Sequence, residues 1–391
     1  MTHSLRIGIA GCGIGGLAVA LFLHRAGHSV TLFDQFDTPT PTGSGLVIQP
    51  VGLDVLDSLG LRQTVLSQAH PIYRMSGIEA RSNRSVLNVD YGPEGGDTFG
   101  LGIHRATLFD ALYRAVLAQN ITVNSGHIIR TSHMEQDTRF VTTSLGETFG
   151  PFDLVIDASG ARSSLSPIKS RALSYGALWG TVDWPADSPL PTGRLSQCYR
   201  GAANMLGILP LGNFPNETTP KAAIFWSERA DRLPHFANRD FARWQEEAIA
   251  LWPDYEPFVR QLRGHDDLTP ATYRHGTLWT PYQDRLVFIG DSAHQASPQL
   301  GQGANMALLD ARALAEALVE HDLADALKIY ARKRRWHVQL YQQFSAVFTP
   351  FYQSDSKALP FLRNNLMNPM SYVWPVKPML TRLVCGNLIK P

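Results

Sequence analysis

The N-terminal stretch "LRIGIAGCGIGGLAVALFLHRAGHSVTLFDQ" restricts the fold more than any other part of the chain. An apolar run leads into Gly11-x-Gly13-x-x-Gly16, and an amphipathic segment continues to about Arg25. After Gly27, a second apolar run from Ser29 to Phe33 ends at Asp34. This order predicts a strand, a tight turn, a helix and a second strand. Gly11 allows the turn, Gly13 lets a pyrophosphate approach the backbone, and Gly16 permits close helix–strand packing. The helix opened by Ile14, Gly15 and Gly16 offers unpaired N–H groups and positive potential to that pyrophosphate. Asp34 is placed to accept hydrogen bonds from an adenosine ribose. A bound dinucleotide is therefore expected, and the acid argues against a 2′-phosphate there. The glycines alone leave FAD and NAD both open.

Far downstream, "RLVFIGDSAHQASPQLGQGANMALLDA" repeats the same order of parts. An all-apolar strand from Arg285 to Ile289 suits a parallel sheet buried on both faces. Gly290-Asp291, a turn containing Gly301 and Gly303, and a helix beginning near Gly303 follow. Between the two stretches lie a Pro/Thr/Gly loop, "TPTPTGSG", and a hairpin-like segment from Met75 to about Phe99 with turn chemistry at Gly92-Pro93 and Gly95-Gly96. Arg105 precedes an amphipathic helix, and "FDLVIDASGARSSL" gives another apolar strand and polar turn. Residues from about 171 to 280 are rich in Trp, Tyr and Pro, with strand-like runs "ALWGTVDW", "NMLGILPL" and "KAAIFW" and one helical insert around Asp240 to Leu251.

Balanced charge, Lys+Arg 35 against Asp+Glu 34, gives no electrostatic footprint for nucleic acid. The basic run Arg332 to Arg335 reads as a solvated helix face. Cys12, Cys198 and Cys385 are scattered and form no metal-ligand spacing, so no metal site is expected and a reducing, cytoplasmic location fits. No run reaches transmembrane length without charge or proline. The apolar tail from Tyr372 to Pro391 reads as packed, with peripheral membrane contact as the alternative.

With these motifs in order, the chain resembles the class A flavoprotein monooxygenases, the para-hydroxybenzoate/salicylate hydroxylase-like family, over roughly residues 5 to 345. The resemblance implies an α/β fold. An FAD-binding Rossmann-like domain of glutathione-reductase type would comprise residues 1–75, 100–170 and 281–340. A mainly β substrate domain would comprise 76–99 and 171–280, with a helical C-terminal tail at 341–391. It also implies FAD as cofactor and NADPH or NADH as transient co-substrate. The second motif would then serve the other end of the same cofactor. Asp291 would meet the ribityl hydroxyls, Arg105 would lie near the pyrophosphate, and the Gly301–Gly303 turn would aim the helix start, with Ala304 and Asn305, at the flavin. Asp157 and Gly160 belong to the third FAD-facing turn. That turn departs from the family pattern Asp-Gly-x-x-Ser-x-x-Arg, having Ser159 and Ser166 at its two ends.

The implied reaction is a flavin cycle: NAD(P)H reduces FAD, O2 adds at flavin C4a, and the hydroperoxide delivers one oxygen to an aromatic or polyketide-like small molecule. Pro298 matches the proline beside the reacting edge of the flavin. His294 is the tempting acid/base, against a reading as a turn histidine bonded to backbone. Gln49, Tyr199, Trp226 and Pro298 are the substrate-facing candidates, ordinary core packing being the competing reading for the two aromatics. A flavin oxidase or reductase, encouraged by Ser159, and a non-catalytic flavin-binding protein are the alternatives. The expected oligomeric state is a monomer or homodimer.

Overall fold

A computed structural model describes residues 4–38, 43–214 and 217–390. Residues 39–42 of the expected Pro/Thr/Gly loop lie outside them. The centre of the first layer is the strand Arg6–Ala10, where Ile7 and Ile9 are fully buried on one face and Ala10 is buried on the other. It pairs in parallel with Ser29–Phe33 on one side and Leu154–Asp157 on the other. Leu286–Phe288 adds in parallel beyond Leu154–Asp157, and Thr122–Asn124 beyond Ser29–Phe33. The short strand Tyr282–Gln283 closes one edge antiparallel. Strands separated by more than 100 residues thus meet side by side, which brings the carboxyl ends of residues 10, 157 and 288 to one edge of the sheet.

The helix Ile14–Arg25 departs from the amphipathic expectation. Every residue from Ile14 to Leu21 is buried, as is Leu23. It is covered on its second side by the helices Gly303–Glu320 and Arg105–Ala118. Gly15 allows this: a Cβ there would stand 3.2 Å from that of Ala307. Each leucine fully buried in this layer contributes about 1.5–3 kcal/mol of hydrophobic stabilisation.

The second layer is an eight-stranded sheet. Its central strands Arg171–Asp183, Pro220–Arg229 and Asn204–Asn213 run antiparallel. Arg74–Glu79 and Ser85–Asp90 extend one end, joined through Arg194–Arg200. The hairpin turn lies at residues 80–84, with Asn83 at positive φ, and not at the glycine–proline pairs. Those pairs fall after the second strand of the hairpin, where they form the loop leading to the next strand. One face of the sheet is covered by the helix Phe241–Leu251, whose Trp244 and Ala248 are fully buried against it. The other face receives Tyr199, Leu209 and Phe225, together with Val384 and Cys385 of the C-terminal segment.

From Leu323 to Tyr352 the chain is one 30-residue helix, and the segment Val376–Cys385 folds back over it. Gln302 Nε2 donates to the Val384 carbonyl at 3.0 Å, and the Tyr341 hydroxyl donates to that of Leu383, also at 3.0 Å. The tail is therefore anchored on the turn that precedes the Gly303–Glu320 helix.

Candidate functional site: motif turns at one sheet edge and a cavity beside them

The glycine turns and the acids of the motifs lie along the carboxyl edge of the parallel sheet. At one end Gly11 has φ +102° and lies so close to Ala158 that a Cβ would stand 2.6 Å from its carbonyl oxygen. Gly16 is tighter still, with 1.9 Å between a notional Cβ and the Gly11 carbonyl oxygen. Gly13 differs: a Cβ there would meet nothing within 4 Å. Gly11 and Gly16 are required by packing, whereas Gly13 borders open space. Neither the Ile14–Arg25 helix nor the Gly303–Glu320 helix has a side-chain N-cap, so both ends leave N–H groups for a ligand.

Asp34 stands at the end of the second strand. Its Oδ2 accepts from the Cys12 N–H at 2.5 Å and its Oδ1 from the Gln35 N–H at 2.7 Å. These bonds fix the carboxylate beside the glycine turn and leave lone pairs for hydroxyl donors. Asp291 is water-accessible at the rim, yet its carboxyl sits among packed neighbours. Burial pushes its pKa up, against the opposing charges of His294 and Arg105. Arg105 opens the helix Arg105–Ala118 and is exposed. Gly160 and Gly303 both face open space, and Gly301 is in the left-handed region at φ +60°. Uncapped helix starts, open glycines and flanking carboxylates fit a long anionic molecule rich in hydroxyls, as FAD is.

Two expected cofactor contacts are turned inward. Asp157 is fully buried, and its Oδ1 accepts from the Ser159 N–H at 3.0 Å and hydroxyl at 2.5 Å. Its Oδ2 accepts from the Ser163 hydroxyl at 2.5 Å. Burial raises its pKa while those serines oppose the shift. Asp157 therefore organises its own turn. Ser166 donates to the Ser292 carbonyl at 2.5 Å, tying that turn to Gly290–Ser292. The serines that depart from the family pattern thus have structural work inside and between the turns.

Asn305 is likewise fully buried. Its Nδ2 donates to the carbonyls of Val47 at 3.1 Å and Gly301 at 2.9 Å, and its Oδ1 accepts from the Gln49 N–H at 2.8 Å. Its side chain clamps the strand Gly45–Ile48 to the helix start, which leaves its backbone N–H, with those of Gly303 and Ala304, as the ligand-facing group. Gln49 is fully buried with neither side-chain polar atom partnered, and its Nε2 is 3.1 Å from where Gly301 would carry a Cβ.

His294 does not face this edge as a free acid/base. Its Nε2 lies 2.6 Å from Asp310 Oδ2, and both residues are buried. Against a carboxylate, that ring nitrogen must be the donor. Asp310 also accepts from the Gly290 N–H at 2.9 Å and from Arg334 Nε at 2.8 Å. Arg334 is only 2% exposed, so the basic run Arg332–Arg335 is not a uniformly solvated face. Sequence periodicity could have found it: Arg334 lies on the same helix face as buried Tyr330, Ala331 and Val338.

Beyond the turn Pro298–Leu300 lies a partly open cavity lined by Met75, Gln197, Tyr199, Gln299, Leu300 and Arg363, among others. Tyr199 donates to Gln197 Oε1 at 2.5 Å. Pro298 is exposed just before the residues that line the cavity. Trp226 is elsewhere. Alternation along its strand points it to the helix-covered face, edge-on to Trp244 at 5.9 Å, while Phe225 takes the cavity-side face.

Comparison with known proteins agrees with this architecture. Residues 4–345 match the family model described as FAD binding domain. The 3-hydroxybenzoate 6-hydroxylase of Klebsiella oxytoca is 25% identical over 363 residues, covering 85% of this chain and 84% of that protein. The kynurenine 3-monooxygenase of Salinispora tropica is 28% identical over 376 residues, covering 87% and 78%. Among solved structures, Klebsiella pneumoniae HpxO complexed with FAD and uric acid superposes with a TM-score of 0.81 at 18% identity, covering 98% of each chain. Among the described residues no helix is long and apolar enough to cross a membrane, and no cluster of His, Cys, Asp and Glu has the arrangement of a metal site.

Proposed function

The chain belongs to the FAD-binding-domain family that includes the class A aromatic hydroxylases, and from that premise we propose how its own residues serve an FAD-dependent monooxygenase reaction. The enzyme inserts one oxygen atom from O2 into an aromatic small molecule, with NAD(P)H as electron donor. The observation that carries the reading is the turn Pro298–Gly303. Gln299 and Leu300 line the cavity, while Gly301 lies against the Gln49 amide and Gly303 borders open space at the helix start. Cofactor and substrate would therefore meet across five residues of backbone.

When bound, FAD supplies hydride acceptance and oxygen activation, chemistry that no side chain can provide. The protein binds, orients and shields. Gly13 admits the pyrophosphate, Asp34 holds the ribose, and Asp291 accepts from ribityl hydroxyls. The N–H groups of Gly303, Ala304 and Asn305, left without a side-chain cap, would stabilise negative charge on the bound flavin. Gln49, buried and unpartnered beside Gly301, offers a further amide to the ring system. A substrate filling the cavity would displace water from the reacting face. Polyketide-like aromatics belong to the same proposal.

Ser159 and Ser166 are accounted for by the folding of their turn, so they give no support to the oxidase or reductase reading. The C-terminal segment exposes Phe361, Val373 and Trp374, which supports peripheral contact with a lipid surface; co-sedimentation with liposomes tests it. For the reaction, the purified protein is expected to carry a flavin absorption band. Candidate substrates are expected to accelerate NADH or NADPH oxidation, and labelled O2 to appear in the product. A colourless protein indifferent to FAD would overturn the reading. Turnover that releases all oxygen as hydrogen peroxide would replace it with an oxidase.

A further inference from the structure

The strand Thr269–Thr277 of the large sheet carries a histidine to the turn that separates the cavity from the glycine-rich helix start. This strand pairs antiparallel with the two-residue strand His294–Gln295, Gly276 opposite Gln295 and Thr277 opposite His294. There the ladder stops. Beyond it, the imidazole of His275 takes the place of a strand carbonyl, and its Nε2 accepts from the Ser297 N–H at 3.0 Å.

Ser297 is buried and immediately precedes Pro298, which has no N–H to hold the chain. Within the turn, the Ser297 hydroxyl accepts from the Gln299 N–H at 3.4 Å, and the Gly301 N–H donates to the Pro298 carbonyl at 2.9 Å. From the long helix Leu323–Tyr352, Ser345 Oγ stands 3.4 Å from His275 Nε2 and donates to the Ser297 carbonyl, also at 3.4 Å. Side chains from the large sheet and the long helix thus hold the entry to the turn where backbone pairing has ended. A shift at Ser297 is felt on two sides, because Gln299 and Leu300 line the cavity and Gly301 lies against the Gln49 amide.

The bond also fixes a protonation state. A backbone N–H can only donate, so Nε2 is an unprotonated acceptor and the ring proton sits on Nδ1. A second proton would set N–H against N–H and leave the buried Ser297 donor without a partner. The surroundings favour the neutral ring. Burial pushes the His275 pKa down, and Arg171, opposite it on the paired strand Arg171–Asp183, adds to the shift. Arg274 beside it is occupied by Ser170, and His294 across the ladder by Asp310.

We propose that His275 is a positioning residue for the oxygen insertion: its neutral ring fixes the turn Ser297–Gly303, and its protonation releases that turn and lowers turnover. It acts through the Ser297 N–H and not on a reacting atom. This rests on the monooxygenase reading for what the turn does, but the bond itself is testable without turnover.

Ring-nitrogen NMR of the FAD-loaded full chain, labelled in histidine, reads the bond directly. The signal lost in His275→Gln is expected to be that of the Nδ1–H tautomer at about pH 8. A proton on Nε2 overturns the proposal. With a substrate that accelerates NADH or NADPH oxidation, kcat is expected to fall below about pH 6.5 while KM stays within roughly threefold. His275→Gln, whose amide oxygen can accept from Ser297, is expected to keep turnover at about pH 8 within roughly threefold and to lose that acid limb. His275→Leu offers no acceptor and is expected to lower kcat roughly 10- to 100-fold at every pH, with flavin content unchanged. A flat profile in the unmodified protein, an equal acid limb in His275→Gln, or full turnover in His275→Leu overturns the assignment. A protein that takes up no FAD defeats the monooxygenase reading, and the ring signal then still decides the bond.

Discussion

His294 Nε2 lies 2.6 Å from Asp310 Oδ2 with both residues buried, and the same carboxylate oxygen accepts from the Gly290 N–H at 2.9 Å. The helix Gly303–Glu320 is thereby bonded to the Gly290-Asp291 turn, the one proposed to meet the cofactor. Burial pushes the Asp310 carboxyl upward, but His294 and Arg334 outweigh it and hold the group well below the usual carboxylate range. Removing one partner of such a buried pair strands the others, at a cost of about 3–5 kcal/mol. Asp310→Ala is therefore expected to lower the unfolding free energy in urea by that amount and to weaken FAD binding. His294→Gln is expected to keep near-normal flavin content. Retained stability in Asp310→Ala, or a pH-dependent loss of turnover in His294→Gln at full flavin content, would show that the cluster has a different role.

The second titratable group of this network gives a pH signature. Burial pushes His337 down to about 4, and the Arg334 charge adds to the shift. Arg334 Nη1 donates to its Nδ1 at 3.3 Å, and its Nε2 donates to the Gly386 carbonyl at 2.9 Å, an arrangement that suits the neutral ring. The folded pKa lies below the unfolded value near 6.5, so the unfolded chain binds the proton first as pH falls. Stability is fully present above about pH 6.5 and is lost as pH drops toward 4, by roughly 3 kcal/mol at the acid end. Asp310 adds to the loss only below about pH 4. The melting temperature of the apoprotein is expected to fall between pH 6.5 and 4.5, and His337→Gln to flatten that slope. An equal slope in the variant would assign the acid lability elsewhere.

The glycines of the first turn separate packing from binding. At Gly16 an added Cβ would meet the Gly11 carbonyl oxygen at 1.9 Å, whereas at Gly13 it would meet nothing within 4 Å. Gly16→Ala is expected to destabilise the apoprotein by roughly 1–3 kcal/mol through strain in a packed region. Gly13→Ala is expected to leave apoprotein melting unchanged and to weaken FAD binding at least tenfold, which equilibrium dialysis measures. Normal flavin affinity in Gly13→Ala would place the pyrophosphate elsewhere.

Much of this site was legible because its chemistry is local in sequence. Glycine turns, the acid after the second strand and the Gly-Asp motif each occupy a few consecutive residues, and backbone sterics fix their meaning. The side-chain partners of Asp157, Asn305 and His294 were not legible, because motif membership does not say which way a side chain points. Each turned inward to satisfy buried backbone or charge. Arg334 carried only the helical spacing that places it with Tyr330, Ala331 and Val338, and Arg363 carried no local signal. Arg334 looked like part of a charged surface run, and Arg363 lies in a tail whose path over the large sheet depends on contacts such as Gln302 with Val384. Trp226 failed for another reason: strand register decides the face, and a shift of one residue exchanges Trp226 with Phe225.

That register makes a last contrast measurable. Trp226 packs edge-on to Trp244 under the helix Phe241–Leu251, while Tyr199 lines the cavity with its hydroxyl on Gln197 and its ring under Arg363. Trp226→Phe leaves a void in the helix-covered core and is expected to cost roughly 1–3 kcal/mol in urea unfolding, with KM for an active substrate unchanged. Tyr199→Phe keeps the ring but strands the Gln197 acceptor, which is then free to bond a ligand or reorient. A change of several-fold in KM or in the dissociation constant of a bound aromatic is expected, with a smaller effect on stability. If Trp226→Phe moved KM and Tyr199→Phe did not, the substrate would bind on the opposite face of the sheet from the one assigned to it.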